Sequence, residues 1–285
     1  MLLALDVGNT QIFGGVYDGD DLKLTFRRTS SIRASSDEFG TSFRTTLREN
    51  GVDPDGIDMA AICSVVPDAV HSLRNCFRKY FRFEPFLLQP GAKTGLKIRY
   101  RNPLEVGADK IANAIGALAR FPGRNLLIVD FGTATTLCAV SKDKEYLGGI
   151  ITPGINTSME VLESKTARLP TVEILRPSEV LGRSTVESIQ SGLYYGALAT
   201  VRFLAASVTK ECFADDPPLI IGTGGFGRLF EDEELLDEFV PELALMGLRR
   251  AVEFSLARTG PARPSVPASD TEDPAAPGSV VQANS

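Results

Sequence analysis

Leu2-Leu3-Ala4-Leu5 runs into Asp6-Val7-Gly8-Asn9-Thr10, and much later Leu126-Leu127-Ile128-Val129 runs into Asp130-Phe131-Gly132-Thr133-Ala134. Each apolar run has the length and composition of a buried β-strand. Each Asp-x-Gly segment is followed by a second apolar strand, Ile12 to Tyr17 in one case and Thr136 to Val140 in the other. A polar turn comes next, Asp18-Gly19-Asp20-Asp21 or Ser141-Lys142-Asp143-Lys144, and then a third strand, Leu22 to Arg27 or Tyr146 to Ile151. One unit of strand, Asp-x-Gly turn, strand, turn and strand thus occurs twice, and two similar halves are predicted.

Outward from these strands the periodicity turns helical. Phe39, Phe43 and Leu47 recur at i, i+4 and i+8 within Asp37 to Glu49, and a second helix, Asp68 to Phe81, begins after Pro67. A third is predicted from Asn102-Pro103 to about Arg120, an N-cap residue followed by proline at the first helical position. Val186 to Thr209 and Glu231 to Leu256 are helical by pattern, the second interrupted near Pro241. Further strands fall at Met59 to Val66, Phe86 to Leu88 and Leu219 to Ile221. Strand hairpins joined by crossover helices predict an α/β protein with a mixed sheet in each half. From Thr259 to Ser285 the chain is Pro, Ala, Ser, Gly and acidic residues with almost no large apolar side chains. Such a segment buries too little surface to offset its ordering entropy and is predicted to be a disordered tail.

The 285 residues are 43% hydrophobic and 23% charged, which suits a sizeable globular core. A net charge of -6 argues against a nucleic-acid partner, which wants a basic face; the pairs Arg27-Arg28 and Arg249-Arg250 sit among acidic residues. No apolar run approaches the roughly 18 to 20 residues of a membrane helix, so no membrane partner is expected. The opening Met1 to Leu5, interrupted by Asp6 and preceded by no basic residues, reads as a first strand and not a secretion signal. The expected compartment is the cytoplasm. Cys63, Cys76, Cys138 and Cys212 lack metal-ligand spacing, and His71 is the only histidine. A zinc site or a Ser-His-Asp triad therefore has too few residues to build on. Cys63 and Cys138 sit inside apolar runs, where a buried reduced thiol is expected.

A glycine two residues after a strand-end aspartate lets the backbone turn sharply and brings amide groups to phosphate oxygens. Asn9 and Thr10, or Thr133, Thr135 and Thr136, add uncharged donors. The aspartate supplies oxygen to a hard cation, which screens the phosphates. One copy alone also reads as an ordinary β-turn; two copies in matching strand contexts carry the phosphate reading.

The paired turns resemble the phosphate motifs of the actin, Hsp70 and sugar kinase superfamily. Ser64-Val65-Val66-Pro67, Asn102-Pro103 followed by Val106-Gly107-Ala108-Asp109, Pro153-Gly154 and Gly182-Arg183-Ser184-Thr185 narrow the match. In that order and spacing they resemble the type III pantothenate kinase family across nearly all of residues 1 to 258. The resemblance implies two RNase H-like, actin-like halves, residues 1–118 and 119–258, ahead of the tail at 259–285. It implies ATP-dependent phosphorylation of pantothenate to 4′-phosphopantothenate, the first step of coenzyme A biosynthesis. By this resemblance Asp109 is the general base, and Asp6, Val7, Gly8, Asn9, Thr10, Gln11, Ile12 and Phe13, with Thr133, hold ATP. Asp6 lies near a Mg2+ at the phosphates, and Asp130 binds a monovalent cation, K+ or NH4+. Tyr100, Gly107, Ala108, Asp109, Lys110 and Thr185 contact pantothenate, and the active site lies at a homodimer interface. One residue departs from the family: arginine usually follows the catalytic aspartate, and here it is Lys110, which keeps the charge without the planar bidentate fork.

Several of these residues also have ordinary readings. Asp109 suits the first turns of a helix, where the macrodipole favours an acid; Tyr100 suits a strand, and Thr185 a helix N-cap. Ala112, Gly116 and Ala119 form a small-residue stripe that fits a dimer contact or close packing within one chain. Gly222-Thr223-Gly224-Gly225-Phe226-Gly227 fits G-x-G-x-x-G, but no later strand with an acidic end remains to complete a dinucleotide site. In the actin-like reading these glycines admit adenine and ribose. No Walker A loop occurs. Two other functions stay open at this point: an ATP-binding regulatory relative that kept the fold, and a kinase with another acceptor, such as a sugar.

Overall fold

A computed structural model of the chain describes residues 1–30 and 34–259; of the predicted tail, 259–285, Thr259 ends the last helix and the rest lies outside the described residues. The first Asp-x-Gly unit is a meander of β1 (Leu2–Val7), β2 (Gln11–Asp18) and β3 (Asp21–Thr29). Helix α1 (Ser36–Glu49) opens with a capping box, in which the Ser35 hydroxyl accepts from the Glu38 N–H and the Glu38 carboxylate accepts from the Ser35 N–H. Then come β4 (Met59–Ser64), α2 (Pro67–Cys76) continuing into a π turn at Phe77–Phe81, and β5 (Phe86–Leu88). The short β6 (Lys97–Ile98) and α3 (Ala108–Arg120) lead to the second unit, β7 (Leu126–Phe131), β8 (Ala134–Val140) and β9 (Glu145–Pro153). The chain continues through α4 (Ile155–Lys165), α5 (Thr185–Cys212), β10 (Leu219–Thr223), β11 (Glu238–Phe239) and α6 (Leu243–Thr259).

One sheet has the order β3-β2-β1-β4-β5, and the other has β9-β8-β7-β10-β11 with β6 added beside β9. In both, the meander strands pair antiparallel and the crossover strands parallel. Even the register shift recurs at the matching place, Val16/Tyr17 in β2 and Ala139/Val140 in β8. The chain therefore adopts the predicted α/β fold with two similar mixed-sheet halves.

Strand alternation sorts the side chains into layers. Leu3, Leu5 and Val7 face α1 and α2, meeting Phe39, Phe43 and Leu73. Leu127, Val129 and Phe131 face α4 and α5, meeting Ile155, Leu193 and Leu198. The intervening residues, Ala4 on β1 and Leu126 and Ile128 on β7, face a central layer made of α3 and α6. Asp6 and Asp130 are in phase with that inner set, so a period of two aims both carboxylates at the central helices.

Helices α3 and α6 pack against each other in this layer. A Cβ added at Gly116 would overlap the Leu243 carbonyl oxygen, and one added at Gly247 would overlap that of Ala112. The stripe of Ala112 and Gly116 is thus used inside one chain, while Ala119 is exposed.

Four local readings change. The helix expected from Asn102 is broken: Asn102 caps a 3-10 turn at Pro103–Glu105, and α3 begins only at Ala108. Between them Val106 is extended and buried, so its burial in the central core overrides helical continuity. The stretch from Glu231 to Pro241 forms turns and the edge strand β11, because Glu238 and Phe239 pair with Ile221 and Gly222. The α5 N-cap is Ser184, whose hydroxyl accepts from the Glu187 N–H, and Thr185 is the first helical residue. Helix α4 was not anticipated; it starts after Gly154 without a side-chain cap and buries only Ile155 and Met159. Among the described residues no helix is long and apolar enough to cross a membrane.

Gly247→Ala is expected to lower unfolding free energy by about 1–3 kcal/mol through overpacking. Gly196→Ala on α5, where a Cβ meets nothing within 4 Å, is expected to raise it by about 0.5–1 kcal/mol. Denaturant titration of both variants checks this.

Candidate active site

At the β1–β2 turn the Gly8 N–H donates to the Gln11 carbonyl at 3.0 Å, and at the β7–β8 turn the Gly132 N–H donates to the Ala134 carbonyl at 3.2 Å. The two turns meet, with Thr10 Oγ1 and Thr133 Oγ1 2.9 Å apart. The Thr133 turn is braced by α4: the Gly154 N–H, at 3.1 Å, and the Thr157 hydroxyl, at 2.7 Å, both donate to the Thr133 carbonyl. The loop after β10 lies directly on the end of β7. Gly224 has φ +89°, and a Cβ there would collide with the Asp130 carboxylate and the Phe131 backbone.

The first turn of α3 enters this junction. Lys110 Nζ stands 3.3 Å from Asp109 Oδ2, while Asp109 Oδ1 is buried and has no partner. One helical turn on, Asn113 is only 4% exposed; its Nδ2 donates to Asp130 Oδ2 at 3.0 Å, and its Oδ1 is also without a partner. On the other sheet the Cys63 thiol donates to Asp6 Oδ1 at 3.3 Å.

Three carboxylates therefore converge. Burial, then repulsion from Asp109 and Asp130, pushes Asp6 up to about 7, against the pull of the Cys63 hydrogen bond and of Arg27. Burial and then Asp109 push Asp130 up to about 6, against the Asn113 hydrogen bond, Lys110 and Arg27. Burial works against the charge of Lys110, but Asp109 outweighs it and holds the ammonium above its usual value.

These features fit cations. Two carboxylates that resist ionisation and two buried acceptor oxygens without donors are deficits that a positive ion satisfies. Among the described residues no three His, Cys, Asp or Glu side chains form a cage of their own. Mg2+ ordinarily takes one or two carboxylates and completes its shell with water and substrate phosphates.

The predicted ATP segment Asp6–Phe13, Thr133, Asp130 and the group Gly107–Lys110 thus come to one junction. Tyr100 joins its edge: its ring meets that of Tyr146 at 6.4 Å, and Tyr146, whose hydroxyl donates to Cys138, feels the charge of Asp109. Thr185 does not join. It lines a separate cavity of about 970 Å3 with Pro153, Leu162, Leu169, Arg183 and Ile189, which holds none of the three aspartates. Cys63, Asn113 and Tyr146 were missed from the sequence. Asn113, four residues after Asp109 on one helix face, was findable by periodicity; the other two depend on strand order. His71 lies outside the group, exposed and hydrogen-bonded to Asn75.

Paired sheets of this topology, joined at two Asp-x-Gly turns with three carboxylates around them, define an actin-like ATPase fold suited to phosphoryl transfer. A family model described as type III pantothenate kinase matches residues 2–207. The chain belongs to that family and is a phosphotransferase. It is 52% identical over 257 residues to the type III pantothenate kinase of Legionella pneumophila (strain Corby), covering 90% of this chain and all of the relative. It is 50% identical over 253 residues to that of Elusimicrobium minutum, covering 89% and 98%. Among solved structures, a Baf family protein from Campylobacter jejuni matches with TM-score 0.57 at 17% identity, over 90% of this chain and 99% of that one. The ethanolamine utilization protein EutJ from Carboxydothermus hydrogenoformans matches with TM-score 0.51 at 13% identity, over 86% and 88%. Both structural likenesses show the fold alone.

A carboxyl group whose pKa is higher folded than unfolded favours folding only while it is protonated. In cation-free buffer the contribution of Asp6 and Asp130 to stability is therefore present below the ordinary 3.8 and is lost as pH rises through about 6 to 7. Mg2+ or K+ is expected to raise the melting temperature more at pH 8 than at pH 5, and Asp6→Asn to weaken that difference. Thermal denaturation across pH, with and without each cation, measures it.

Proposed function

We propose that this phosphotransferase moves the γ-phosphoryl group of ATP onto the hydroxyl of pantothenate, giving 4′-phosphopantothenate, the first step of coenzyme A biosynthesis, in the cytoplasm. The observation that carries the mechanism is the buried, unpartnered Oδ1 of Asp109 beside the two meeting turns. A carboxylate oxygen with no donor of its own is free to accept the hydroxyl proton as the acceptor oxygen attacks phosphorus. Lys110 holds the other oxygen and so orients the base. Phosphoryl transfer otherwise requires mainly positioning and charge stabilisation.

In this reading residues Asp6–Phe13 and Thr133 hold the nucleotide phosphates through turn amides and hydroxyls, and the loop Gly222–Gly227 admits adenine and ribose. Asp6 holds Mg2+, and Asp130, with the free oxygen of Asn113, holds K+ or NH4+; the cations supply charge neutralisation at the phosphates. Tyr100 and residues Gly107–Lys110 contact pantothenate. Thr185 completes the pocket from a second subunit of a homodimer, which accounts for its place in a separate cavity within one chain. Exposed apolar residues beside that cavity support a subunit contact there, Leu181 at 79% and Val180 at 65% exposure.

Asp109→Asn is expected to lower kcat for pantothenate by about 10²- to 10⁴-fold while nucleotide binding persists; retention of wild-type kcat would remove the base assignment. Mixing Asp109→Asn with Thr185→Ala protein is expected to restore activity that neither has alone, since a mixed dimer with shared sites keeps one intact site. An additive mixture, or a monomer in sedimentation, would reject the shared site.

A further inference from the structure

Arg27 and Arg28 are neighbours on β3, and alternation sends them to opposite faces of the first sheet. Arg28 goes outward with Leu24 and Phe26, its guanidinium 4.8 Å from the centroid of the Phe39 ring on α1. Arg27 goes inward. Its guanidinium stands 4.1 Å from the centroid of the Phe13 ring, and Phe13 packs with the central layer. Strand register completes a row across the sheet: Arg27 opposite Phe13, Phe13 opposite Asp6, and Asp6 beside Cys63. Directly opposed residues share a face, so Arg27 lies on the face of Asp6, two strands away, or about 10 Å between backbones.

Three further observations concern its charge. Arg27 acts electrostatically on both Asp6 and Asp130, one from each half of the fold. It is exposed, and it makes no ion pair with another described residue. Lys110, the junction's other cation among the described residues, is already engaged by Asp109 at 3.3 Å. Among the described residues around the turns, the three carboxylates thus have one lysine engaged by Asp109 and one arginine without an ion pair. A triphosphate adds more negative charge to that set. The cation–π contact with Phe13 holds the guanidinium over that ring, and a planar fork of donors with no carboxylate to satisfy matches phosphoryl oxygens.

We propose that Arg27 is a further catalytic residue: its guanidinium donates hydrogen bonds to the γ-phosphate of the bound nucleotide and neutralises charge on the phosphoryl group in transit. This rests on the Asp6 turn being the phosphate site. Arg27 undergoes no covalent change. The bond from phosphorus to the departing ADP oxygen breaks, the bond to the acceptor oxygen forms, and the acceptor proton goes to Asp109. Lysine at this position keeps charge without the fork and serves as the graded comparison.

The test compares full-length wild type with Arg27→Ala and Arg27→Lys. Calorimetry measures binding of Mg-ADP and of a non-hydrolysable Mg-ATP analogue, and steady-state kinetics give kcat and the KM of ATP and pantothenate. Arg27→Ala is expected to bind ADP nearly as wild type does, to lose affinity for the triphosphate by about 10- to 100-fold, and to lose kcat; Arg27→Lys recovers part of both. A lower melting temperature with unchanged preference between ADP and triphosphate would make Arg27 a structural residue and overturn the proposal. An effect confined to the KM of pantothenate would overturn it as well. The nucleotide measurements need no acceptor. If wild type fails to phosphorylate pantothenate while Arg27→Ala still loses triphosphate affinity, the acceptor assignment fails and Arg27 stands. If wild type binds neither nucleotide, the phosphate site and this proposal fail together.

Discussion

The depth to which α3 sinks against α6 between the two sheets governs the rest of the molecule. At Gly116 and Gly247 each helix meets the backbone of the other with no room for a methyl group. That approach presents the first turn of α3 to the ends of both β1 and β7 at once. A helix turns by about 100° per residue, so Asp109 and Asn113 share a face only because they are four apart. A helix held farther out would leave the strand-end aspartates facing a gap. The geometry of the junction is in this sense a product of core packing, settled by two glycines on facing helices.

The same packing creates an electrostatic conflict. Asp6, Asp109 and Asp130 crowd together, and the first and last resist ionisation through burial and mutual repulsion. The hydrogen bonds from Cys63 and Asn113 orient two of them without neutralising them. Holding these carboxyl groups together costs fold stability wherever they ionise. Clustered carboxylates held above their ordinary pKa at the meeting of two turns are an arrangement that functional sites favour.

Fold and function rest on different grounds here. The solved structures that match at 13% and 17% identity share the architecture, and one architecture hosts many activities. The relatives at 50% and 52% identity, aligned along nearly their whole lengths, carry the family assignment.

Local pattern sufficed wherever the physics was local. Apolar runs ending in Asp-x-Gly marked β1 and β7, and the repeat marked the two halves. The i, i+4 spacing from Asp109 even contained Asn113. Elements whose limits depend on distant partners were not legible in this way. Val106 breaks the helix after Asn102 because a core assembled from both halves buries it, and Glu238–Phe239 is a strand because β10 lies alongside. Cys63 reaches Asp6 only because β4 pairs with β1, and Arg27 faces Asp6 only through the register of three strands. The sequence by itself thus determined the repeated units, the kind of chemistry their turns support and the family. Which side chains surround the two Asp-x-Gly turns, and which of two adjacent arginines shares the face of Asp6, was decided by tertiary structure, because strand order and register arise from contacts between residues far apart in the chain.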